Sequence, residues 1–304
     1  MQPGAHPGSP TSGYIVVHEL ALLALPEALP LPRLSPLLIA ALLLFASPAI
    51  AREPHLRLSA RAAIVEDGQG NVLFAENPNL RLPNASTTKV LTALVTIDNA
   101  ALQDVVTISP YAASMPPTRL GVRPGETYTV LELLYAMLLA SDNDAAVALA
   151  EHVAGSTQRF AALMNAKART LGCDNTHFVT PNGLPAKGHY TTVHDLALIM
   201  RAATQNPVFV AIAQTRSVDL VWPGHHRPHH VTSLNRLLAR YPTPLLGKTG
   251  FTFAAGRCYV AEAEGTGLTV AMLGSRDLWG DARRLIDFGM KASRATTLAH
   301  SALW

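Results

Sequence analysis

Thiols and amines are scarce in this chain. Two cysteines in 304 residues, Cys173 and Cys258, exclude a disulfide framework as the device that holds the fold together. One bridge between them and two buried free thiols both remain open. Lysine occurs five times, at Lys89, Lys167, Lys187, Lys248 and Lys291, so a lysine inside a motif carries weight. Charged residues make up 15% and hydrophobic residues 49%, which excludes a disordered chain and indicates a packed core. A net charge of +3 without a clustered Lys/Arg stripe argues against nucleic acid as a partner. No internal repeat is visible, and no low-complexity segment outside the first fifty residues.

Those first residues differ from the rest. "LSPLLIAALLLFA", from Leu34 to Ala46, follows Arg33 and precedes Ala49-Ile50-Ala51, a small-x-small pattern of the kind a signal peptidase reads. The run is short for a bilayer span, so export with cleavage near Ala51 is expected rather than a stable membrane anchor. The Pro-rich stretch before Arg33 is long for a signal n-region and fits a start codon placed too early. A signal peptide over 1–51 leaves 52–304, about 250 residues, as a single domain.

After Arg52, "RAAIVEDGQGNVLFAEN" gives two β-rich runs around a turn at Asp67 to Asn71, a hairpin. A helix is expected from Ser86 through Asn99, with Val90, Leu91, Leu94, Val95 and Ile97 on its apolar face. "VRPGETYTVLELLYAMLLAS" predicts an apolar helix ending near Ala140. "DAAVALAEHVAG" predicts a second, stopping at Gly155. Further helices are expected at Thr157 to Leu171 and Thr192 to Ala203. Beyond Val208 the spacing turns extended: two strands around the "WPGHHRPHH" loop, three more from "LLGKTGF" to "VAMLGS", then a helix over Asp281 to Ser293. Hairpin, helices, strands and final helix predict an α+β fold. An antiparallel sheet is fed from both chain ends, with a helical layer and a mostly helical subdomain.

Three clusters carry chemistry. In "RLPNASTTKVLTAL", Ser86 and Lys89 stand at i and i+3, on one face of a helix start. There an amine can take a hydroxyl proton, and unpaired backbone N–H groups favour a developing oxyanion. The lysine must be neutral for this, which burial or a second cation achieves. Ser141-Asp142-Asn143 fills the break between two apolar helices, where a hydroxyl and an amide can face one cleft. Lys248-Thr249-Gly250 reads as a strand bearing a cation and a hydroxyl, with a glycine that lets another backbone approach. A peptide can add itself along such an edge, and Lys248 is a natural cation to depress Lys89. Taken singly, the three read as a helix cap, an inter-helix turn and an edge-strand solubility lysine.

S-x-x-K, S-D-N and K-T-G in this order resemble the signature of penicillin-binding proteins and class A β-lactamases. With "VRPGETYTVLELLYAMLLASDNDAA", "MNAKARTLGCDNTHFVTPNGL", "TTVHDLALIM" and "GKTGFTFAAGRCYVAEA", the chain resembles the low-molecular-mass penicillin-binding proteins, the serine D-alanyl-D-alanine carboxypeptidases and endopeptidases. "KTGFTFAAGRC" is most similar to the penicillin-binding protein 7 type, a soluble periplasmic endopeptidase. The resemblance implies a β-lactamase/transpeptidase-like fold and a periplasmic enzyme acting on peptidoglycan stem peptides without cofactor or metal. β-Lactams would be its covalent inhibitors. It implies Ser86 as acylated nucleophile, Lys89 as base and Ser141 as proton relay to the leaving amine. Asn143 would hold a substrate amide, Lys248 would tune the cluster, and Thr249 would contact substrate. The N–H groups of Ser86 and Phe251 would form the oxyanion hole, beside Gly250, and Arg276 would anchor a carboxylate.

Two departures stand out. Many carboxypeptidases of this kind have glycine where Asp142 stands, and many continue into a β-rich second domain that is not expected here. Both lean toward an endopeptidase. A class A-like β-lactamase is the first alternative, but "CDNTHFVTPNGLPAKGHYTTVH" has no glutamate to activate a deacylating water; a weakly catalytic wall-binding protein is the second. Elsewhere, His225, His226, His229 and His230 read as metal ligands or as an exposed hairpin loop. Asn182-Gly183 reads as a turn, Asn235 as cleft lining or a loop amide, and Asp195 as a helix cap or substrate contact.

Overall fold

Ala62–Glu66 (β1) reads AAIVE and is buried at every position, so it cannot be a strand with one wet face. It pairs with Val72–Glu76 (β2) across a turn in which Asp67 Oδ1 accepts from the N–H groups of Gln69 and Asn71, both at 2.9 Å. On its other side it pairs antiparallel with Leu268–Ser275 (β9), a strand from the far end of the chain. Gly256–Ala263 (β8) and Leu245–Thr252 (β7) complete a five-stranded antiparallel sheet in the order β2-β1-β9-β8-β7. β7 is therefore an edge. The structure, a computed structural model, describes residues 56–221 and 228–301, within one compact unit. The expected leader, and with it His225 and His226, lies outside the described residues.

Side chains alternate between two cores, as the strand period of two requires. Ala63, Val65, Tyr259, Ala261, Val270 and Met272 pack with Leu285 and Ile286 of the final helix, Leu278–Ser301 (α8). Ala62, Ile64, Cys258, Val260, Ala271 and Leu273 pack against the helical layer. That layer is Lys89–Asn99 (α1), Pro110–Ala113 (α2), Val130–Tyr135 (α3), Asn143–Ala154 (α4), Thr157–Thr170 (α5), Val193–Thr204 (α6) and Pro207–Ala213 (α7). Its starts are set by local chemistry: Thr129 and Glu132 form a capping box on α3, and Ser156, Thr192 and Asn206 cap α5, α6 and α7. Two small antiparallel hairpins, Val105–Thr107 (β3) with Thr127–Thr129 (β4) and Ser217–Leu220 (β5) with His229–Thr232 (β6), flank it. Among the described residues no single helix is long and apolar enough to cross a membrane.

The expected architecture of one antiparallel sheet closed by both chain ends is present. Several elements differ. Pro207–Ala213 is helical (α7) where the spacing beyond Val208 reads as extended, because Asn206 caps a turn that Pro207 starts. The helix expected from Ser86 opens as a 3₁₀ turn over Ala85–Thr88 before α1 begins at Lys89. α2 and the β3–β4 pair are too short to produce a readable period. Cys173 and Cys258 are both buried and unpaired, and burial pushes each thiol up to about 12, so the bridge is excluded and neither thiol is reactive.

Helix α8 sits close to the sheet because Gly289 has no side chain. A Cβ there would meet Leu268 Cδ1 at 2.7 Å and Val65 Cγ1 at 2.8 Å. Gly289→Ala should therefore overpack this interface and lower stability by about 1–3 kcal/mol. Urea denaturation checks this, and an unchanged or higher midpoint would contradict the packing described.

Candidate active site

Ser86, Lys89, Ser141, Asn143, Lys248, Thr249 and Gly250 come from three separate elements. The 3₁₀ turn and α1 supply the first two, the junction of the π turn with the first residue of α4 the next two, and edge strand β7 the rest. Lys89 is fully buried. Its Nζ lies 2.9 Å from Ser86 Oγ, 2.8 Å from Asn143 Oδ1 and 2.7 Å from the carbonyl of Asn182. No carboxylate pairs with it among the described residues. Desolvation, and then repulsion by Lys248, hold its pKa well below the ordinary value, with Asp142 and Asp144 acting weakly the other way.

Asn143 Oδ1 and a main-chain carbonyl can only accept hydrogen bonds. A neutral amine therefore spends both of its hydrogens on those two oxygens. Its remaining lone pair is directed at Ser86 Oγ, whose hydroxyl must donate. The acceptors alone would also suit an ammonium; burial and Lys248 favour the neutral form, and for that form the geometry sets the direction of proton transfer, from Ser86 Oγ to Lys89 Nζ.

The turn that carries Ser86 is held between two glycines. A Cβ on Gly250 would come within 2.9 Å of Ser86 N and 3.1 Å of Asn84 O. Gly183, at φ +79°, presses on the carbonyl of Ala85 so closely that a side chain would overlap it. Ala85 itself takes the left-handed conformation, φ +48°, uncommon outside glycine. Asn182-Gly183 is thus more than a turn: it delivers the third contact to Lys89.

Ser141 also adopts the left-handed conformation, φ 69°, as the π turn over Ala136–Ala140 gives way to α4. The loop 116–122 cradles it. Thr118 Oγ1 donates to Ser141 O at 2.9 Å, Asn143 N donates to Thr118 O at 2.9 Å, and Asn143 Nδ2 donates to Pro116 O at 3.0 Å. Asp144 pins the same loop by accepting from the N–H groups of Leu120 and Gly121 at 3.0 and 2.8 Å. Both ends of the Asn143 amide are thus engaged within the protein. Asp142 is buried, and desolvation with repulsion from Asp144 pushes it up to about 7, against the pull of Lys89 and Lys248.

Lys248 is 2% exposed, which excludes the edge-strand solubility role. Its Nζ donates to Thr249 O at 2.9 Å, and burial brings it down to about 7. Beyond Gly250, Phe251 and the fully exposed Phe253 stand edge to face, centroids 5.7 Å apart, with the Arg257 guanidinium 5.7 Å from the Phe251 ring. A cavity of about 290 Å³ lined by Pro83, Gly183, Lys187, His189 and Thr252 opens beside the turn.

Other expected residues lie apart. Arg276 is exposed just after β9, its N–H donating to Ser59 Oγ; its carbonyl accepts from Arg257 Nη1 at 3.3 Å, the guanidinium that lies by Phe251. Asn235 is a loop amide, donating to Leu245 O at 2.7 Å and accepting from Tyr259 OH at 2.9 Å. Asp195 neither caps nor faces the cluster: Thr192 caps α6, and Asp195 accepts from Asn175 N–H and Thr176 Oγ1. His229 and His230 lie in β6 against Tyr128 and Asp219. No group of three or more metal-binding side chains is present among the described residues.

Sequence reading missed His189. Its Nδ1 faces the N–H groups of Val179 and Thr180 at 3.1 and 3.3 Å, so that nitrogen accepts and the proton resides on Nε2. Nε2 then donates to Thr88 Oγ1 at 3.0 Å. The ring ties the residue preceding Lys89 to the loop that presents Asn182.

Residues 48–274 match the peptidase S11 family, described as D-alanyl-D-alanine carboxypeptidase. The chain is 39% identical over 241 residues to the D-alanyl-D-alanine carboxypeptidase DacB2 of Mycobacterium tuberculosis, covering 76% of this chain and 82% of that one. It is 32% identical over 248 residues to a D-alanyl-D-alanine endopeptidase of Escherichia coli, covering 77% and 78%. It spans 62% and 58% of two longer carboxypeptidase relatives. A crystal structure of D-alanyl-D-alanine carboxypeptidase from Mycobacterium tuberculosis superposes with a TM-score of 0.72 at 38% identity, over 78% of this chain and 94% of that one.

Burial lowers His189 from 6.5 to about 4. Between those values the unfolded chain binds a proton that the folded chain refuses. The stability this neutral ring contributes is complete above about pH 6.5 and is lost as pH falls toward about 4. Urea denaturation at pH 7 and pH 4 should give His189→Gln a fall smaller than wild type by about 2–3 kcal/mol. Equal falls would contradict the buried neutral ring.

Proposed function

The chain belongs to the D-alanyl-D-alanine carboxypeptidase family of serine peptidases, and from that premise we propose that it is a DD-peptidase acting on peptidoglycan. The observation that carries the reading is the buried Lys89 amine, whose two obligate acceptors leave its lone pair for Ser86.

In the proposed reaction, Lys89 takes the Ser86 proton as Oγ attacks the carbonyl of a D-alanine residue. The oxyanion forms beside the N–H groups of Ser86 and Phe251. The C–N bond breaks as the proton taken by Lys89 passes through Ser141 to the leaving amine, which returns Lys89 to its neutral form. Water then hydrolyses the acyl-enzyme, with Lys89 again as base. An extended stem peptide lies along the free edge of β7, with Thr249 contacting it and Asn143 releasing its amide toward it. Arg276 is proposed as a more distant carboxylate anchor. β-Lactams acylate Ser86 and leave slowly.

The β-lactamase reading is disfavoured by the loop that reaches Lys89, because it offers the Asn182 carbonyl and not a carboxylate for a deacylating water. Endopeptidase and carboxypeptidase differ only in the leaving amine. Asp142 favours the first; the 39% identity to a carboxypeptidase, against 32% to an endopeptidase, favours the second. The leader over 1–51, with 52–304 as the catalytic domain, supports export to the periplasm with the leader removed.

Mass spectrometry of products from a pentapeptide muropeptide and from a D-alanine-cross-linked dimer tests the proposal. Wild type should release D-alanine from the first or split the second, and Ser86→Ala should lose at least about 10³-fold of that activity. Neither product from wild type would leave a binding protein. Equal turnover by Ser86→Ala would remove Ser86 from the mechanism.

A further inference from the structure

Away from the Ser86 cluster, Arg216, Arg236 and Arg240 line one cavity of about 430 Å³ together with the hydroxyl-bearing Thr232 and Ser233. All three arginines are exposed. Among the described residues none forms an ion pair, and no acidic side chain lines the cavity. Three like charges around one space repel each other. Arg236 lies 6.0 Å from the Trp279 ring, a contact that steadies the guanidinium plane without consuming its N–H donors.

The cavity is joined to the proposed catalytic elements on two sides. The N–H of Leu234 donates to Leu139 O at 3.0 Å, two residues before Ser141. Asn235 Nδ2 holds Leu245 O at the start of β7, three residues before Lys248. Three extended residues span about 10 Å, so a peptide lying along the β7 edge reaches this cavity a few residues from the bond at Ser86. Guanidinium forks and hydroxyl donors match planar oxyanions.

We propose that this cavity is a second substrate site, in which Arg216, Arg236 and Arg240 bind a free carboxylate of the peptidoglycan peptide beyond the scissile D-alanyl bond. The inference rests on the peptidase reading above. It makes the site a positioning device for polymeric substrate and leaves the chemistry at Ser86 untouched. Being exposed, its attraction weakens as salt is added.

The test compares the full chain with the Arg236→Gln/Arg240→Gln double variant on whichever stem-peptide substrate wild type cuts. The substrate is supplied with free carboxylates and, separately, amidated at every carboxylate except that of the terminal D-alanine. On the free-acid substrate the double variant should show KM raised roughly five- to tenfold and kcat within about twofold. Both proteins should cut the amidated substrate with the same raised KM, and both should be acylated by labelled penicillin at the same rate. Equal KM for the two proteins on the free-acid substrate overturns the proposal. So does inhibition of wild type by a glycerol-phosphate oligomer combined with indifference to amidation, which would assign the cavity to phosphate. No cleavage and no acylation by wild type would instead sink the peptidase reading itself.

Discussion

Everything around the site serves one buried amine. Charging a lysine in a fully buried position costs heavily in desolvation, and here no carboxylate pairs with it among the described residues, Asp142 and Asp144 opposing the shift as the smaller causes. Three oxygens, from Ser86, Asn143 and Asn182, surround Lys89 Nζ. Two of them cannot donate, so the neutral amine has a single orientation open to it. A charged amine would satisfy all three acceptors, but burial and the nearby Lys248 oppose that charge.

The scaffold reads as the set of constraints this amine imposes. Ser86 must lie on a turn that two other segments can approach, and Gly250 and Gly183 supply the room. Asn143 must point inward, so its loop is cradled by residues 116–122, which Asp144 grips through backbone N–H groups. Asn182 must present its carbonyl, and His189 holds that loop to Thr88. Edge strand β7 brings Lys248, its outer side held by the 235–238 loop at Leu245 and, among the described residues, unpaired with another strand beyond it. The five-stranded sheet closes these pieces from both chain ends, which places early and late residues in one framework.

Much of this was legible in the sequence. The hairpin around Asp67, the apolar helices and the three late strands followed from period and turn residues, because burial imposes those periods directly. Ser86, Lys89, Ser141, Asn143 and Lys248 were legible as side-chain chemistry in short motifs. The carbonyl of Asn182 was not, since a backbone oxygen leaves no mark of residue type. His189 was invisible for a related reason: its partners are two N–H groups and a threonine hydroxyl that residue spacing does not bring together. Asn235, Asp195 and Arg276 fall outside the cluster because tertiary contacts alone decide whether a polar side chain faces a cleft or braces a loop. The arginine cavity was hidden likewise, its three members being spread from position 216 to 240 across a strand pair and a loop.

The central claim is that burial holds the Lys89 amine's pKa well below its ordinary value and that Lys248 helps to keep it there. The most direct measurement is the rate of acylation by a labelled penicillin against pH, for wild type and Lys248→Gln. The account predicts an acid limb in wild type far below the ordinary lysine value of 10.5. It also predicts displacement of that limb to higher pH in the variant, because removing a like charge raises the Lys89 pKa. A wild-type limb near 10, or a limb that stays in place or moves to lower pH in the variant, would contradict it.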